Sequence, residues 1–181
     1  MDELDVKKIS KGRSRNIKIG ELSEDVINAL GLDLKPQNIN VWSTRIPEHC
    51  EKHKQEYSSP NTYNQAIKNI PLILKEPDYI GLHKNGNIQY VKRLDDISLI
   101  GVQILKGSGN LLFRTIFPIS EVKLKNSIKS GEFIPFHKKK IGDTYVSPFF
   151  SLVNWWDGVP HISFKPISGL IAATFYPQLT Y

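Results

Sequence analysis

The chain has 181 residues, 40% of them hydrophobic, which suffices for the core of one domain. Its net charge of +6 favours an anionic partner, nucleic acid before membrane. Its single cysteine excludes an internal disulfide and a cysteine-rich zinc module. We find no signal peptide and no run of about eighteen apolar residues, so we expect a cytoplasmic protein without a membrane span.

The first half of the chain predicts a basic arm followed by helices. Residues 7–18 hold six basic residues and no acid, and we predict a flexible arm over residues 1–16. The stretch LSEDVINALGL predicts a short helix that Ser23 caps and Gly31 ends. NINVWST, residues 38–44, predicts only a short extended link.

Two further helices are predicted before the pattern changes. The first runs from Pro47 to Tyr57, and the second begins near Asn61. Pro71 interrupts or restarts the second helix, and Pro77 ends it.

Apolar and polar residues then alternate with the period of strands. YIGLH and IQYVKRL flank an Asn85–Gly86 turn, which predicts a hairpin, and ISLIGVQIL and LLFRTIF predict two more strands. EVKLKNSIKSGEFIPF predicts a helix ending near Gly131, and residues 137–181 predict an aromatic, β-rich extension on the same domain. The fold class is therefore α+β, with N-terminal helices packed on an antiparallel sheet of four or more strands.

Two histidines four residues apart stand out in RIPEHCEKHKQEY. On a helix, His49 and His53 would share an inward stripe with Ile46, Cys50 and Tyr57. Two buried, hydrogen-bonded core histidines are one interpretation. A functional site is the other, because a buried polar group costs a few kcal/mol unless it has a partner.

The strands offer groups that could complete such a site. Thr115 shares a predicted row with Leu111, Phe113 and Phe117, whereas Arg114 lies in the opposite row. Lys92 shares a row with Ile88 and Tyr90. A threonine and a lysine in apolar rows are out of place unless they are used, so we expect Lys92 and Thr115 to converge on the histidines.

The order of IPEHCEKH, ILKEPDYIGL, IQYVKR, LIGVQIL and LLFRTIFPIS resembles the phage-borne branch of the barnase/EndoU/colicin/RelE-like (BECR) nucleases. The resemblance covers about residues 17–136, the predicted nuclease domain. It implies a toxin-like, metal-independent endoribonuclease that needs no cofactor. By motif position His49, His53, Lys92 and Thr115 would be catalytic. It also implies an RNA substrate, an immunity protein as partner, and delivery by a phage or a secretion system into a bacterial cytoplasm.

The chemistry of RNA cleavage suits these residue types. Imidazoles can take the proton of the 2′-hydroxyl and protonate the leaving oxygen, and a cation can stabilise the phosphate. Arg114, Lys84 and Tyr90 are predicted substrate-binding residues, and Trp42 is a further surface for base stacking. The sequence does not decide which histidine is the acid.

Two other functions remain open at this point. His49 and His53 have metal-ligand spacing, but Glu51 lies one place late for a zincin base and no third ligand stands out among His83, His137 and His161. A non-catalytic domain that binds RNA or a phage component is the other alternative.

Overall fold

The structure is a computed structural model that describes residues 14–136 and the backbone of residues 153–156 and 159–162. The predicted arm and the predicted extension lie mostly outside these residues. The chain divides into two compact units at residue 138. No helix in the described part is long and apolar enough to cross a membrane.

Over residues 14–136, the first unit contains seven strands, four α-helices and one irregular helical segment. In chain order these are β1 (Asn16–Leu22), α1 (Glu24–Leu30), β2 (Gln37–Trp42), the helical segment (Ile46–Glu56), α2 (Pro60–Lys68), α3 (Ile70–Lys75), β3 (Tyr79–Leu82), β4 (Ile88–Arg93), β5 (Ile97–Ile104), β6 (Leu111–Pro118), α4 (Glu121–Lys129) and β7 (Phe133–Pro135). In the second unit, β8 (Val153–Trp156) pairs with β9 (Val159–Ile162) in an antiparallel hairpin.

The seven strands form one sheet in the order β1-β2-β6-β5-β4-β3-β7. Only β2 and β6 pair in parallel; the other neighbours are antiparallel. The predicted α+β class and the four strands of the meander are confirmed. The strands β1, β2 and β7 were not predicted, and residues 38–42 of the predicted link belong to the inner strand β2.

The sheet has two faces with separate apolar clusters. The larger cluster joins α1, α2 and α3 to strand residues such as Ile39, Tyr90, Ile100 and Phe113, and we call this side the core face. The smaller cluster contains Val91, Leu99, Leu124 of α4 and Phe133 of β7, and we call this side the second face.

Local sequence signals place the helix ends and turns as expected. The Ser23 hydroxyl caps α1 by accepting a bond from the backbone N–H of Val26, and Gly31 ends that helix with a φ of 61°. Pro71 lies in the first turn of α3, so it restarts the helix there. Gly86 turns the β3–β4 hairpin with a φ of 83°, which side chains disfavour.

A bulge explains why the sequence pattern did not predict β1 as a strand. The pairing of β1 with β2 shifts between Lys18 and Gly20, so Ile19 and Leu22 are both buried although they lie three residues apart. This spacing is helical rather than alternating. Pairing begins at Asn16, the last residue of the predicted arm.

Substituting Gly81 with alanine should weaken the attachment of β7. A Cβ atom on Gly81 would collide with the backbone carbonyl of Glu132 and with the Phe133 ring. We expect the free energy of unfolding to fall by roughly 1–3 kcal/mol, measured by urea denaturation. Gly101→Ala is the matched control, because its Cβ would lie 3.6 Å from Thr115 Cγ2, an ordinary contact. Equal losses in the two variants would contradict this account.

Candidate active site

The two histidines lie in a segment that covers an open strand edge. We call residues 45–57 the histidine segment. Strand β2 pairs with β6 only as far as Leu112, and the histidine segment lies against the rest of β6. The backbone of Ile116 hydrogen-bonds to the Cys50 thiol there. The segment thus shields strand edges that would otherwise be unpaired.

The segment is not the α-helix that the sequence predicted. Residues Ile46–Cys50 form a π-helical turn, and Glu51–Glu56 form a tighter 3₁₀ turn. Short π-helical turns are frequent at functional sites. The change of winding alters which side chains share a direction.

The single inward stripe predicted for this segment is therefore wrong. Ile46, Cys50 and Tyr57 are buried in the larger apolar cluster. His49 and His53 are only partly buried and line a cavity instead, with 23% of the His53 side chain exposed. The apolar residues anchor the segment, and the imidazoles remain accessible.

A second bulge, in β6, sets the other wall of this cavity. Gly101 of β5 pairs with Thr115, whereas the next residue, Val102, pairs with Phe113, so Arg114 is an extra residue. Phe113 and Ile116 both join the core-face cluster although they lie three residues apart. Consequently Arg114 and Thr115 both point away from the core face, where strict alternation would have separated them.

The cavity has a volume of about 410 Å³, within the range of small-ligand sites. Its lining combines three cations, two imidazoles and one hydroxyl. The lining residues are Arg45, His49, Lys52, His53, Arg114 and Thr115. No carboxylate from the described residues lines it, so the cavity suits an anion.

Hydrogen bonds fix both imidazole rings. A guanidinium nitrogen of Arg45 lies 2.6 Å from Nε2 of His49. Because arginine can only donate, this ring nitrogen accepts and the imidazole is neutral. Nδ1 of His53 lies 2.7 Å from a carboxylate oxygen of Glu56, to which it donates. Its ring also stacks at a tilt on Phe117, with centroids 5.5 Å apart.

The surroundings tune the titration of these groups. Partial desolvation, followed by the cations of Arg45 and Lys52, lowers the pKa of His49 below its ordinary value. Desolvation, followed by Arg114, also lowers the pKa of Arg45. Burial raises the pKa of the Cys50 thiol to about 11, so this thiol is not an activated nucleophile.

Thr115 contributes a hydroxyl that lacks a hydrogen-bond partner. Its Oγ1 is shielded from water, and no partner for it exists in the described part of the chain. A buried hydroxyl without a partner costs about 1–3 kcal/mol. Because Thr115 lines the cavity, a rotation of its side chain would bring this hydroxyl to a ligand oxygen there.

The predicted convergence of Lys92 with Thr115 is wrong. Lys92 alternates with Ile88 and Tyr90 and therefore lies on the core face, whereas Thr115 lies on the second face. Its ammonium donates to the Glu76 carbonyl, 2.5 Å away, and lies 3.4 Å from a carboxylate oxygen of Asp78. Lys92 thus ties the end of α3 to the sheet.

Two of the predicted substrate-binding residues do not line the cavity. Tyr90 is fully buried in the core-face cluster, and burial raises the pKa of its hydroxyl well above the ordinary value. It offers no surface for a base. Lys84 is exposed in the β3–β4 turn, three strands along the sheet from β6. Arg114 alone of the three lines the cavity.

Arg45 and Lys52 also line the cavity, although neither was predicted from the sequence as a site residue. Arg45 lies four residues before His49, and Lys52 lies three residues after it. Their spacing would have identified both as neighbours of the imidazole on a helical segment. Within the described residues, no group of three or more His, Cys, Asp or Glu side chains is placed to hold a metal ion.

Comparison with protein families identifies the fold. A family model described as phage-Barnase-EndoU-ColicinE5/D-RelE like nuclease3 matches residues 17–126, more than half of the chain. The chain belongs to this nuclease family. No curated protein and no solved structure gives a significant match.

Membership confirms the BECR resemblance seen in the sequence. The match to this BECR nuclease family begins in β1 and ends within α4. It therefore includes the whole histidine segment and the bulged strand β6. A nuclease family implies a nucleic-acid substrate, which agrees with a cavity whose charged lining residues are cations.

The lowered pKa of His49 gives a direct test of the cavity's electrostatics. We expect the Cε1–H resonance of His49 to titrate below the midpoint of a free histidine side chain. Arg45→Ala should raise that midpoint, because it removes a nearby cation and the donor to Nε2. The measurement is an NMR pH titration of the imidazole protons.

Arg93→Ala is the control for that titration. Arg93 is an arginine of β4 whose guanidinium bonds to Glu121 outside the cavity. A midpoint for His49 that is unmoved by Arg45→Ala, or equally moved by Arg93→Ala, would contradict the assigned pairing.

Proposed function

We propose that this chain is a metal-independent endoribonuclease that cleaves RNA by attack of the 2′-hydroxyl on the adjacent phosphate. The observation that carries the proposal is one cavity that the described residues line with two imidazoles, three cations and no carboxylate. That composition fits a phosphodiester and supplies two groups that can move protons at neutral pH.

The phosphate would be held by the cations of the cavity. Lys52 and Arg114 form no ion pair with a carboxylate in the described part of the chain, so their charges are available. Arg45 lies beside Arg114, since its Nε donates to the Arg114 carbonyl at 3.3 Å. The Thr115 hydroxyl would donate to a phosphate oxygen. These donors stabilise the charge that develops as the 2′-oxygen attacks.

His49 is the proposed general base. Its ring is held neutral by the bond that Nε2 accepts from Arg45, and its lowered pKa keeps it neutral at physiological pH. A phosphate that binds Arg45 would draw the guanidinium away from Nε2. That nitrogen could then take the proton of the 2′-hydroxyl.

His53 is the proposed general acid. The Glu56 carboxylate accepts from Nδ1, which fixes the orientation of the ring. The opposite nitrogen would give its proton to the 5′-oxygen as the P–O bond breaks. The products are a 2′,3′-cyclic phosphate and a 5′-hydroxyl, so atoms and charges balance without a metal or cofactor.

The biological role that we propose is that of a toxin-like nuclease acting in a bacterial cytoplasm after delivery by a phage or a secretion system. The phage-associated nuclease family supports this. A producing cell would then need an immunity protein. An acidic surface on that protein would be complementary to the cationic cavity.

Removing either imidazole should cost activity far more than stability. We expect His49→Ala and His53→Ala each to lower the rate of RNA cleavage in EDTA by roughly 10²–10⁴-fold. The midpoint of thermal unfolding should change little, because both side chains are only partly buried. The assay follows total RNA and identifies the ends formed.

His83→Ala is the matched control, since His83 lies in the β3–β4 hairpin and does not line the cavity. Full activity in both cavity variants would exclude histidine catalysis. Binding of RNA without any cleavage in EDTA would instead favour a non-catalytic binding domain or an added metal.

We expect the affinity for RNA to fall steeply as the salt concentration rises, because the three cations of the cavity bind phosphate. The probe is a 2′-O-methyl oligonucleotide, which lacks the nucleophile and stays intact. Lys52→Ala and Arg114→Ala should each reduce the log–log salt slope by about 0.7, the value for one contact to single-stranded phosphate. Lys75→Ala on α3 is the control, because it lies in the helix layer and pairs with Glu76. A salt-independent affinity would exclude the phosphate site.

A further inference from the structure

An exposed tryptophan lies on the sheet beside the cavity. Trp42 is the last residue of β2, and 46% of it is accessible to solvent. One exposed apolar side chain is ordinary on a protein surface. Trp42 is distinguished by its position three residues before the cavity arginine Arg45 and by the polar side chains around it.

The strand register shows which side chains surround Trp42. Ile39 and Val41 of β2 are buried on the core face, so Asn40 and Trp42 point to the second face. In β1, Asn16 pairs with Trp42 and Lys18 pairs with Asn40. Paired residues point to the same side of a sheet. We call this surface of β1, β2 and β6 the strand platform.

The platform is continuous with the cavity through Arg114. Asn40 lies opposite Leu112 in the parallel β2–β6 pair. Trp42 and Arg114 each lie two residues further along their strands, beyond the last of these pairs. The β6 bulge turns Arg114 to the second face. Arg45, three residues after Trp42, donates to the Arg114 carbonyl and lines the cavity together with Arg114, so the platform ends beside the cavity.

The chemistry of this surface is that of a site for single-stranded nucleic acid. An indole face stacks on any base, an arginine binds the adjoining phosphate, and the amides of Asn16 and Asn40 can bond to base edges or sugars. The ammonium of Lys18 pairs with Glu21, whereas Arg114 forms no ion pair with a carboxylate among the described residues. A base held in a duplex could not reach the indole.

We propose that the strand platform binds the nucleotide next to the cleaved phosphate and that Trp42 stacks on its base. The substrate is therefore single-stranded RNA. This inference rests on the proposed function for the cavity, because it takes the cavity to be the phosphate site. Trp42 binds the substrate and takes no part in proton transfer.

The experiment measures affinity separately from cleavage. Fluorescence anisotropy gives the Kd of a labelled single-stranded 2′-O-methyl oligonucleotide. Trp42→Ala should raise this Kd roughly 5- to 150-fold, the range for losing one stacked base. Trp42→Phe should recover most of the affinity. Val122→Ala is the control, since Val122 is an apolar residue of α4 that is 67% exposed.

A second probe isolates the platform from the cavity. Inorganic phosphate should compete for the cavity equally in the parent and in Trp42→Ala, whereas Arg114→Ala should weaken both phosphate and oligonucleotide. A duplex of the same sequence should bind with a Kd that Trp42→Ala leaves unchanged.

The outcomes distinguish this inference from the nuclease proposal. If Trp42→Ala binds the oligonucleotide as tightly as the parent and still cleaves RNA, the proposed role of the strand platform is wrong and the nuclease proposal is unaffected. Loss of affinity in Trp42→Ala in a protein that cuts no RNA would support the platform and overturn the catalysis. If Trp42→Ala changes the oligomeric state measured by light scattering but not the affinity for the oligonucleotide, the strand platform is a contact between copies of the chain. That result would overturn the inference.

Discussion

The bulge in β6 is the constraint on which the cavity depends. In a regular strand Arg114 and Thr115 would point to opposite faces, and only one could face the histidine segment. The extra residue lets Phe113 and Ile116 both enter the core while Arg114 and Thr115 share the second face. The bulge thus serves the packing of the core and the lining of the cavity together. Bulges are over-represented beside active sites, where they redirect side chains.

The histidine segment depends on the same region of β6. Because β2 leaves β6 after two pairs, an edge remains for the segment to cover. Ile46, Cys50 and Tyr57 hold it there through apolar packing. This anchoring lets His49 and His53 remain partly exposed without loosening the backbone. The two imidazoles are therefore carried by a non-α-helical turn but positioned by the sheet.

Electrostatics distinguishes two otherwise similar imidazoles. His49 lies among cations and accepts from Arg45, which favours its neutral form. His53 donates to Glu56, a carboxylate outside the cavity lining. Differences of environment of this kind are how enzymes assign acid and base roles to like residues. The assignment in the proposed mechanism follows from these two contacts.

The sequence by itself determined the elements whose signals are local. Ser23, Gly31, Pro71 and Asn85–Gly86 set helix ends and the hairpin turn, because capping and turn chemistry act within a few residues. Alternating apolar residues predicted the four strands of the meander. The histidine pair and the family's order of motifs were also readable, and membership of the nuclease family confirms the latter.

Only the tertiary structure decided which of these residues meet. Two bulges break the period of two, in β1 and in β6, and a bulge forms through pairing with a neighbouring strand rather than through local preference. The strand β1 that contains Ile19 was therefore not predicted, and the predicted row failed at Thr115. Lys92 lies on the opposite face of the sheet from Thr115. Arg45 and Lys52 lie beside the histidines because the histidine segment winds against β6. Local sequence specifies periodicity, but long-range pairing fixes the register and hence the face.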